Sequence, residues 1–124
     1  MVGFTIIMLQ DNDRRVPALE WLDRQPAIIQ DKARMRVKML QEKGNELCRP
    51  HADYLRDKIY ELRMRQGRTQ PRLLYFFYGR KAVITHGTFK KPKTFDREID
   101  KAVGFRKKYL RNPELHTYKP ETGE

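Results

Sequence analysis

The chain has 124 residues, and its 27 Lys and Arg against 16 Asp and Glu give a formal net charge of +11. That length predicts one domain, and the charge favours nucleic acid, an anionic membrane surface or an acidic protein as partner over any cationic one. The single cysteine, Cys48, excludes an internal disulfide and suits a reducing compartment. No apolar run approaches the roughly 20 residues of a membrane span, and no basic leader precedes a long apolar segment. We expect a cytoplasmic protein that does not enter a membrane.

The N-terminal third predicts a strand and two helices. Residues 4–9 form an apolar run that is typical of a short buried strand. Pro17 suits the first position of one helix, and Pro26 opens a second that Gly44 is placed to cap. Residues 45–53 are expected to form a loop. The second helix has a basic face that we interpret as solvated rather than as an RNA site: Lys32, Arg34, Arg36 and Lys38.

From residue 59 the apolar period changes from helical to two, which indicates strands. We predict a three-stranded antiparallel meander and then a closing helix, over residues 59–65, 72–78, 81–89 and 95–111. The fold class is therefore α+β, with two N-terminal helices and a C-terminal helix packed around an antiparallel sheet, on one of its faces. Residues 1–111 are expected to form the single domain and residues 112–124 a flexible tail.

The meander is expected to collect cationic side chains on one concave surface. Arg63 and Arg65 share a strand face, and antiparallel pairing brings Arg72 beside them. Such a surface suits a phosphodiester, with guanidinium groups on the phosphate oxygens and aromatic rings stacked on a base. An Arg72 that serves phosphate predicts a stable Arg72→Ala variant. The remaining candidates are His86 and Lys91 for catalysis and Tyr78, Phe89, Lys90 and Lys93 for RNA binding.

Each candidate also has a structural explanation. Arg63 and Arg65 could form the solvated face of an edge strand, and Lys90 and Lys91 could protect a sheet edge from aggregation. His86 alone would more often be a partly buried structural residue. Their coincidence on one predicted surface of a strongly basic chain favours the functional interpretation.

Metal and cofactor sites are not expected. Cys48 and His51 are spaced like two possible zinc ligands, but His86 and His116 lie far away in no recognisable ligand pattern. We interpret Cys48 as a structural thiol and His51 as a loop residue. Catalysis, if present, must come mainly from cations around a phosphate.

Four blocks in order resemble the phage-derived HigB branch of the RelE/ParE toxin superfamily. They are Ile59-Tyr60-Glu61-Leu62-Arg63, Pro71-Arg72-Leu73-Leu74-Tyr75-Phe76-Phe77, His86-Gly87-Thr88-Phe89-Lys90-Lys91 and Phe95-Asp96-Arg97-Glu98-Ile99-Asp100-Lys101-Ala102. The resemblance spans roughly residues 16–111. It implies a RelE-like fold, a cognate antitoxin and, in the HigB and RelE branches, cleavage of mRNA on the ribosome.

The resemblance also implies roles for individual residues. Arg72 matches the strand arginine that RelE-type toxins place at the scissile phosphate, and Arg63 falls where RelE has a catalytic lysine. Lys90 or Lys91 matches the basic residue at the end of the last strand. His86 is our candidate general acid or base, because an imidazole titrates near neutral pH.

Three functions remain open at this point. The first is the toxin of a type II toxin-antitoxin system, a metal-independent endoribonuclease that cleaves mRNA by 2′-hydroxyl attack and is silenced by a helix-turn-helix antitoxin. The second is a ParE-like toxin without enzymatic activity that binds DNA gyrase. The third is a non-catalytic RNA- or DNA-binding module, which the charge supports equally well.

Overall fold

A computed structural model describes residues 3–120 of the chain. Its elements are β1 (Thr5–Met8), α1 (Pro17–Asp23), α2 (Ala27–Lys43), a short 3-10 turn (Gly44–Glu46), β2 (Ala52–Arg56), β3 (Ile59–Arg63), β4 (Pro71–Tyr78), β5 (Lys81–Phe89) and α3 (Phe95–Arg111). The strands form one sheet in the order β1-β5-β4-β3-β2. The predicted α+β class is confirmed. The sheet is mixed rather than wholly antiparallel, because β1 runs parallel to β5.

The predicted helix boundaries agree with local backbone chemistry. Pro17 occupies the first turn of α1, where its missing N–H costs nothing. Gly44 ends α2 as expected: its N–H donates to the carbonyl of Leu40, and its φ is +55°. A Cβ on Gly44 would overlap the ring of Phe4, so glycine also allows β1 to approach the end of α2.

Strand β2 was not predicted, since residues 45–53 were assigned to a loop. Ala52–Arg56 pairs antiparallel with β3, and Tyr54 lies opposite Tyr60. The connecting turn uses Asp57 and Lys58, both with positive φ. Such hairpin turns are usually recognised from Asn-Gly or Asp-Gly pairs, so a turn built from Asp-Lys carries little signal in the sequence.

The helices cover both faces of the sheet, so the prediction that they pack on one face is wrong. Helices α1 and α2 bury Trp21, Ile29 and Leu40 against one face. Helix α3 buries Phe95, Ile99, Phe105 and Tyr109 against the other. The strands carry the corresponding signal, because β4 is buried at every position from Pro71 to Phe76 and a two-sided core needs apolar residues on both faces.

Part of the segment predicted as a flexible tail lies along β1. The N–H of Gln10 donates to the carbonyl of His116 at 2.9 Å, and the N–H of Tyr118 donates to that of Met8 at 3.0 Å. Leu9 and Thr117 form an antiparallel bridge. The rest of that predicted tail, residues 121–124, lies outside the described residues, as do residues 1 and 2 of the predicted domain.

Candidate nucleic-acid cleft

A cleft opens where β3 ends and β4 begins. Arg63 lies directly opposite Arg72 in the antiparallel register, which confirms the predicted pairing. The loop between the two strands adds further polar side chains, and α2 and the segment before β2 complete the wall. The cleft has a volume of about 420 Å³ and is lined by Arg36, Pro50, His51, Arg63, Arg65, Arg68, Gln70 and Arg72. We call it the arginine cleft.

Backbone contacts fix the position of this wall. The N–H of Arg63 donates to the carbonyl of His51 at 2.8 Å, and the side chain of Arg36 donates to the carbonyl of Arg63 at 2.9 Å. Lys32 similarly reaches the carbonyl of Arg65 at 2.6 Å. The basic face of α2, interpreted as solvated from the sequence, therefore contributes two cations that hold β3 and its following loop.

Arg72 is buried, with 1% of its surface exposed. Its Nε donates to Glu61 Oε1 at 2.8 Å, its Nη1 to the carbonyl of Pro71 at 3.1 Å, and its Nη2 to Gln70 Oε1 at 2.9 Å. Burial lowers the pKa of Arg72, while the adjacent Glu61 carboxylate opposes the shift. Each of its three nitrogens thus has a protein partner, and Arg72 supports the cleft from behind.

Arg63, unlike Arg72, is partly exposed to solvent. Its Nε lies 3.8 Å from the second oxygen of Glu61, and 31% of its side chain is exposed. Glu61, itself buried, therefore lies between Arg63 and Arg72. Arg63, Arg65 and Arg68 are the strand and loop arginines of the cleft that solvent can reach.

His86 is buried and does not line the arginine cleft, so its predicted place on the open cationic surface is wrong. It is 3% exposed, and its Nε2 lies 3.0 Å from Glu98 Oε1 while its Nδ1 lies 3.1 Å from the Thr85 hydroxyl. Burial beneath α3 lowers the pKa of His86 to about 4. A register shift between β4 and β5 pairs Leu74 with His86 but Tyr75 with Ile84, so His86 shares the sheet face of Arg72 and is covered there by α3. The extra residue, Thr85, reverses the alternation of faces along β5.

The lysines predicted at the end of the last strand do lie next to the arginines. A second cleft of about 370 Å³ is lined by Arg68, Thr69, Gln70, Phe89, Lys90 and Lys91. We call it the lysine cleft; Arg68 and Gln70 line both clefts. The same register shift turns Phe89 toward α1, where its ring lies 5.5 Å from that of Trp21.

Two predicted RNA-binding residues lie outside both clefts. Tyr78 is at the opposite end of β4, where it is 39% exposed and its ring packs on Tyr109 at 5.3 Å. Lys93 is exposed in the loop between β5 and α3. The remaining candidates, Arg65 and Lys90, lie in the arginine and lysine clefts respectively.

A comparison with protein-family models identifies the family. The model described as phage-derived protein Gp49-like (DUF891) matches residues 20–107, which include both clefts. The chain belongs to the Gp49-like family. This is a RelE-like toxin family associated with toxin-antitoxin systems, and the mixed sheet with three helices is consistent with a RelE-like fold. No curated protein matches the chain.

The match of this Gp49-like chain ends before the C-terminal segment and begins after β1. The toxin of a toxin-antitoxin system is accompanied by an antitoxin, so the family suggests a cognate antitoxin as partner.

Within residues 3–120, no helix is long and apolar enough to cross a membrane. The same residues contain no group of three or more His, Cys, Asp or Glu side chains that converges as a metal ligand set does.

The sequence did not assign four polar or charged residues that line the arginine cleft to the functional site: Arg36, His51, Arg68 and Gln70. Arg36 lies on a helix whose basic face looks ordinary, and the others lie in loops. The missing information was the unpredicted strand β2. Its pairing with β3 places residue 51 opposite residue 63 and so brings a histidine to the arginines.

Proposed function

We propose that this protein is the toxin of a type II toxin-antitoxin system, of the HigB-like kind, and cleaves mRNA on the ribosome. The observation that carries the proposal is the lining of the arginine cleft, where five arginines meet one histidine. Guanidinium groups bind the non-bridging oxygens of a phosphate with charge-assisted hydrogen bonds. A Gp49-like, RelE-like fold supports the same conclusion.

The proposed reaction is an intramolecular transfer at phosphorus. The 2′-hydroxyl loses its proton and attacks the adjacent phosphorus, while the bond from phosphorus to the 5′-oxygen breaks and that oxygen takes up a proton. The products are a 2′,3′-cyclic phosphate and a 5′-hydroxyl end. Arg63, Arg65 and Arg68 stabilise the charge that grows on the phosphate oxygens, and removing one such donor costs about 10²–10³ in rate. Lys91 lines the neighbouring lysine cleft and adds a positive charge near this site.

His51 is the proton-transfer residue in this proposal, in place of His86. An imidazole is the side chain most often used in general acid-base catalysis, and His51 is the one histidine among the described residues that line the two clefts. His51 is partly exposed and held beside Arg63 by the backbone bond between them. His86 is engaged with Glu98 under α3, which supports a structural role. Arg72 then acts by holding Glu61 and Gln70 rather than by contacting phosphate.

Translating ribosomes with a defined transcript test the proposal. The protein should generate new transcript ends carrying a 5′-hydroxyl, and cleavage should persist in EDTA on ribosomes whose integrity is checked separately, because no protein-bound metal takes part in the proposed chemistry. His51→Gln and Arg63→Gln should each lower the cleavage rate by about 10²–10³. Arg97→Gln, an exposed arginine on α3, is the matched control and should cleave normally.

Three results would contradict the proposal. The first is native cleavage by folded His51→Gln and Arg63→Gln, and the second is a strict need for added divalent ion at the chemical step. The third is growth inhibition with intact transcripts: inhibited gyrase would then assign a ParE-like toxin. A protein that binds RNA without cutting it would be a binding module.

A further inference from the structure

The lysine cleft adjoins the arginine cleft through β4, which pairs with β3 on one side and with β5 on the other. Pro71 lies opposite Phe89 in the register of β4 and β5, and the N–H of Lys90 donates to the carbonyl of Gln70 at 2.9 Å. Gln70 is thereby fixed at the boundary, where it lines both clefts. Because Arg68 and Gln70 line both clefts, we expect RNA whose phosphate lies among the arginines to place a base near the lysine cleft.

The side-chain amide of Gln70 has a defined orientation. Arginine donates hydrogen bonds and accepts none, so the atom that meets Arg72 Nη2 at 2.9 Å must be the amide oxygen. The amide nitrogen is then at the other end of the group, with two hydrogens to donate. Because Arg72 is itself anchored to buried Glu61 at 2.8 Å, this orientation is held from the interior of the protein.

The other polar side chains of the lysine cleft are mostly donors too. Arg68, Lys90 and Lys91 carry N–H groups and no acceptor. Thr69 gives its hydroxyl proton to the carbonyl of Gln66 at 2.6 Å, which leaves its oxygen as an acceptor. Phe89 supplies an apolar, partly exposed ring at the wall of the cleft. The cleft thus offers a stacking surface and an excess of donors.

We propose that the lysine cleft is a nucleobase site selective for guanine, with Gln70 as the residue that reads the base. This inference rests on the proposed function in that the base belongs to the bound RNA. Guanine presents two acceptors, O6 and N7, on one edge, whereas adenine replaces O6 with an amino donor and cytosine presents an amino donor. When a donor of the cleft faces an amino group of the base, neither group has an acceptor. The free-energy cost of these unpaired donors selects against adenine and cytosine.

Arg72 is a positioning residue in this arrangement. Its guanidinium group donates hydrogen bonds to both Glu61 and Gln70. The fixed position of the buried Glu61 carboxylate therefore also fixes the Gln70 amide that contacts the base. Arg72→Lys keeps the charge, but an ammonium group does not reproduce the planar fork. The expected consequence is a loss of base preference, which a purely structural role for Arg72 would not produce.

Binding of uncleavable ligands tests the site apart from catalysis. The ligands are pentanucleotides of deoxyribose with one base at the centre and abasic sugars on either side, so only one base can occupy the cleft and no 2′-hydroxyl can attack. Fluorescence anisotropy at low salt should give guanine about a tenfold lower Kd than adenine or cytosine, within the discrimination expected of one bidentate contact. The measured quantity is the ratio of Kd values.

Gln70→Glu is the decisive variant. Its carboxylate still accepts from Arg72, but its outward atom becomes an acceptor, so the guanine-to-adenine ratio should fall to about one or invert. Gln41→Glu, an exposed site on α2, makes the same change in charge and should keep the native ratio. Arg72→Lys should lower the ratio while the protein still binds the ligands.

Each result decides between the two proposals. Equal Kd values for all bases in the native protein, or a guanine preference that survives Gln70→Glu, would overturn the base site and leave the ribonuclease proposal intact. A guanine preference in a protein that cuts no transcript would keep the base site and overturn the ribonuclease. Absence of binding to any ligand would overturn the base site, while transcript cleavage on ribosomes decides the ribonuclease proposal separately. A native ratio in Arg72→Lys would overturn the positioning role alone.

Discussion

At the scale of single residues, the pair formed by Glu61 and Arg72 has the largest consequence for the site. Both side chains are 2% exposed, and their contact is 2.8 Å long. Two opposite charges buried together leave an uncompensated charge when one is removed, and this outcome is more costly than removing both. From the sequence, Arg72 was expected to serve phosphate and to be replaceable without loss of stability. Its burial reverses that expectation.

Arg72→Ala should therefore lower the free energy of unfolding by about 3–5 kcal/mol, because it strands Glu61 in the interior. Chemical denaturation followed by circular dichroism measures the change. The double variant Glu61→Leu/Arg72→Leu removes both charges and should recover a large part of the loss. A folded Arg72→Ala protein with native stability would mean that Glu61 finds another partner or takes up a proton at little cost.

His86 should make stability depend on pH. Burial lowers its pKa to about 4, against 6.5 for an ordinary histidine, so the unfolded chain binds the proton more readily. The stabilising contribution is present above about pH 6.5 and is lost as the pH falls from 6.5 toward 4. Denaturation across this range should show stability decreasing with acidity, and His86→Gln should show a shallower decrease. Equal slopes in the two proteins would remove His86 as the cause.

At the scale of elements, the register shift in β5 decides which residues meet. It turns His86 toward α3 and Phe89 toward α1, and it brings Gly87 against Trp21. A Cβ on Gly87 would lie 2.3 Å from atoms of the Trp21 ring, so α1 can approach the sheet only over a glycine. The close packing of α1 on β5 depends on this contact.

Gly87→Ala should destabilise the protein by about 1–3 kcal/mol, because the added methyl group displaces Trp21. Gly104→Ala is the matched control. Nothing lies within 4 Å of a Cβ at Gly104 in α3, and alanine is favoured over glycine in a helix by about 0.8–1 kcal/mol. The two variants should shift Tm in opposite directions. A neutral Gly87→Ala would show that α1 moves freely on the sheet.

The sequence predicted most of the strands and helices but not which side chains meet between them. Alternating apolar residues predict β3, a continuous apolar and aromatic run predicts β4, the tight turn after it predicts β5, and helical spacing of apolar residues predicts α3. A one-residue shift in register changes no residue type, so nothing in the sequence distinguishes a His86 beneath α3 from one on the opposite face of the sheet. Similarly, Arg72 has the same identity whether it contacts phosphate or Glu61. Side-chain partners across strands became known only from the structure.

At the scale of the whole molecule, the charge of +11 governs association. Part of this charge lies where RNA is proposed to bind, since four solvent-accessible arginines line one cleft and two lysines line the next: Arg36, Arg63, Arg65, Arg68, Lys90 and Lys91. The same surface attracts an acidic protein segment. The composition alone predicted this class of partner, although the place of binding required the fold.

A cognate antitoxin is expected to neutralise the protein by covering these clefts with a carboxylate-rich segment. Binding should protect Lys90 and Lys91 from an amine-reactive reagent, and the association rate should fall steeply as ionic strength rises. Labelling followed by mass spectrometry reads the lysines, with exposed Lys38 on α2 as the reference. Neutralisation with both lysines fully reactive and with salt-independent kinetics would place the antitoxin elsewhere on the molecule.

The C-terminal segment that lies along β1 limits the addition of a further strand to this edge of the sheet. The outward Met8 carbonyl and Gln10 N–H are already bonded to Tyr118 and His116, so this edge offers less unpaired backbone to another chain. The opposite edge, β2, presents Asp53 and Arg56, and charged side chains on an edge discourage strand addition. The family suggests a cognate antitoxin as partner. With both edges of the sheet guarded, we expect the protein that has released this partner to resist edge-to-edge polymerisation.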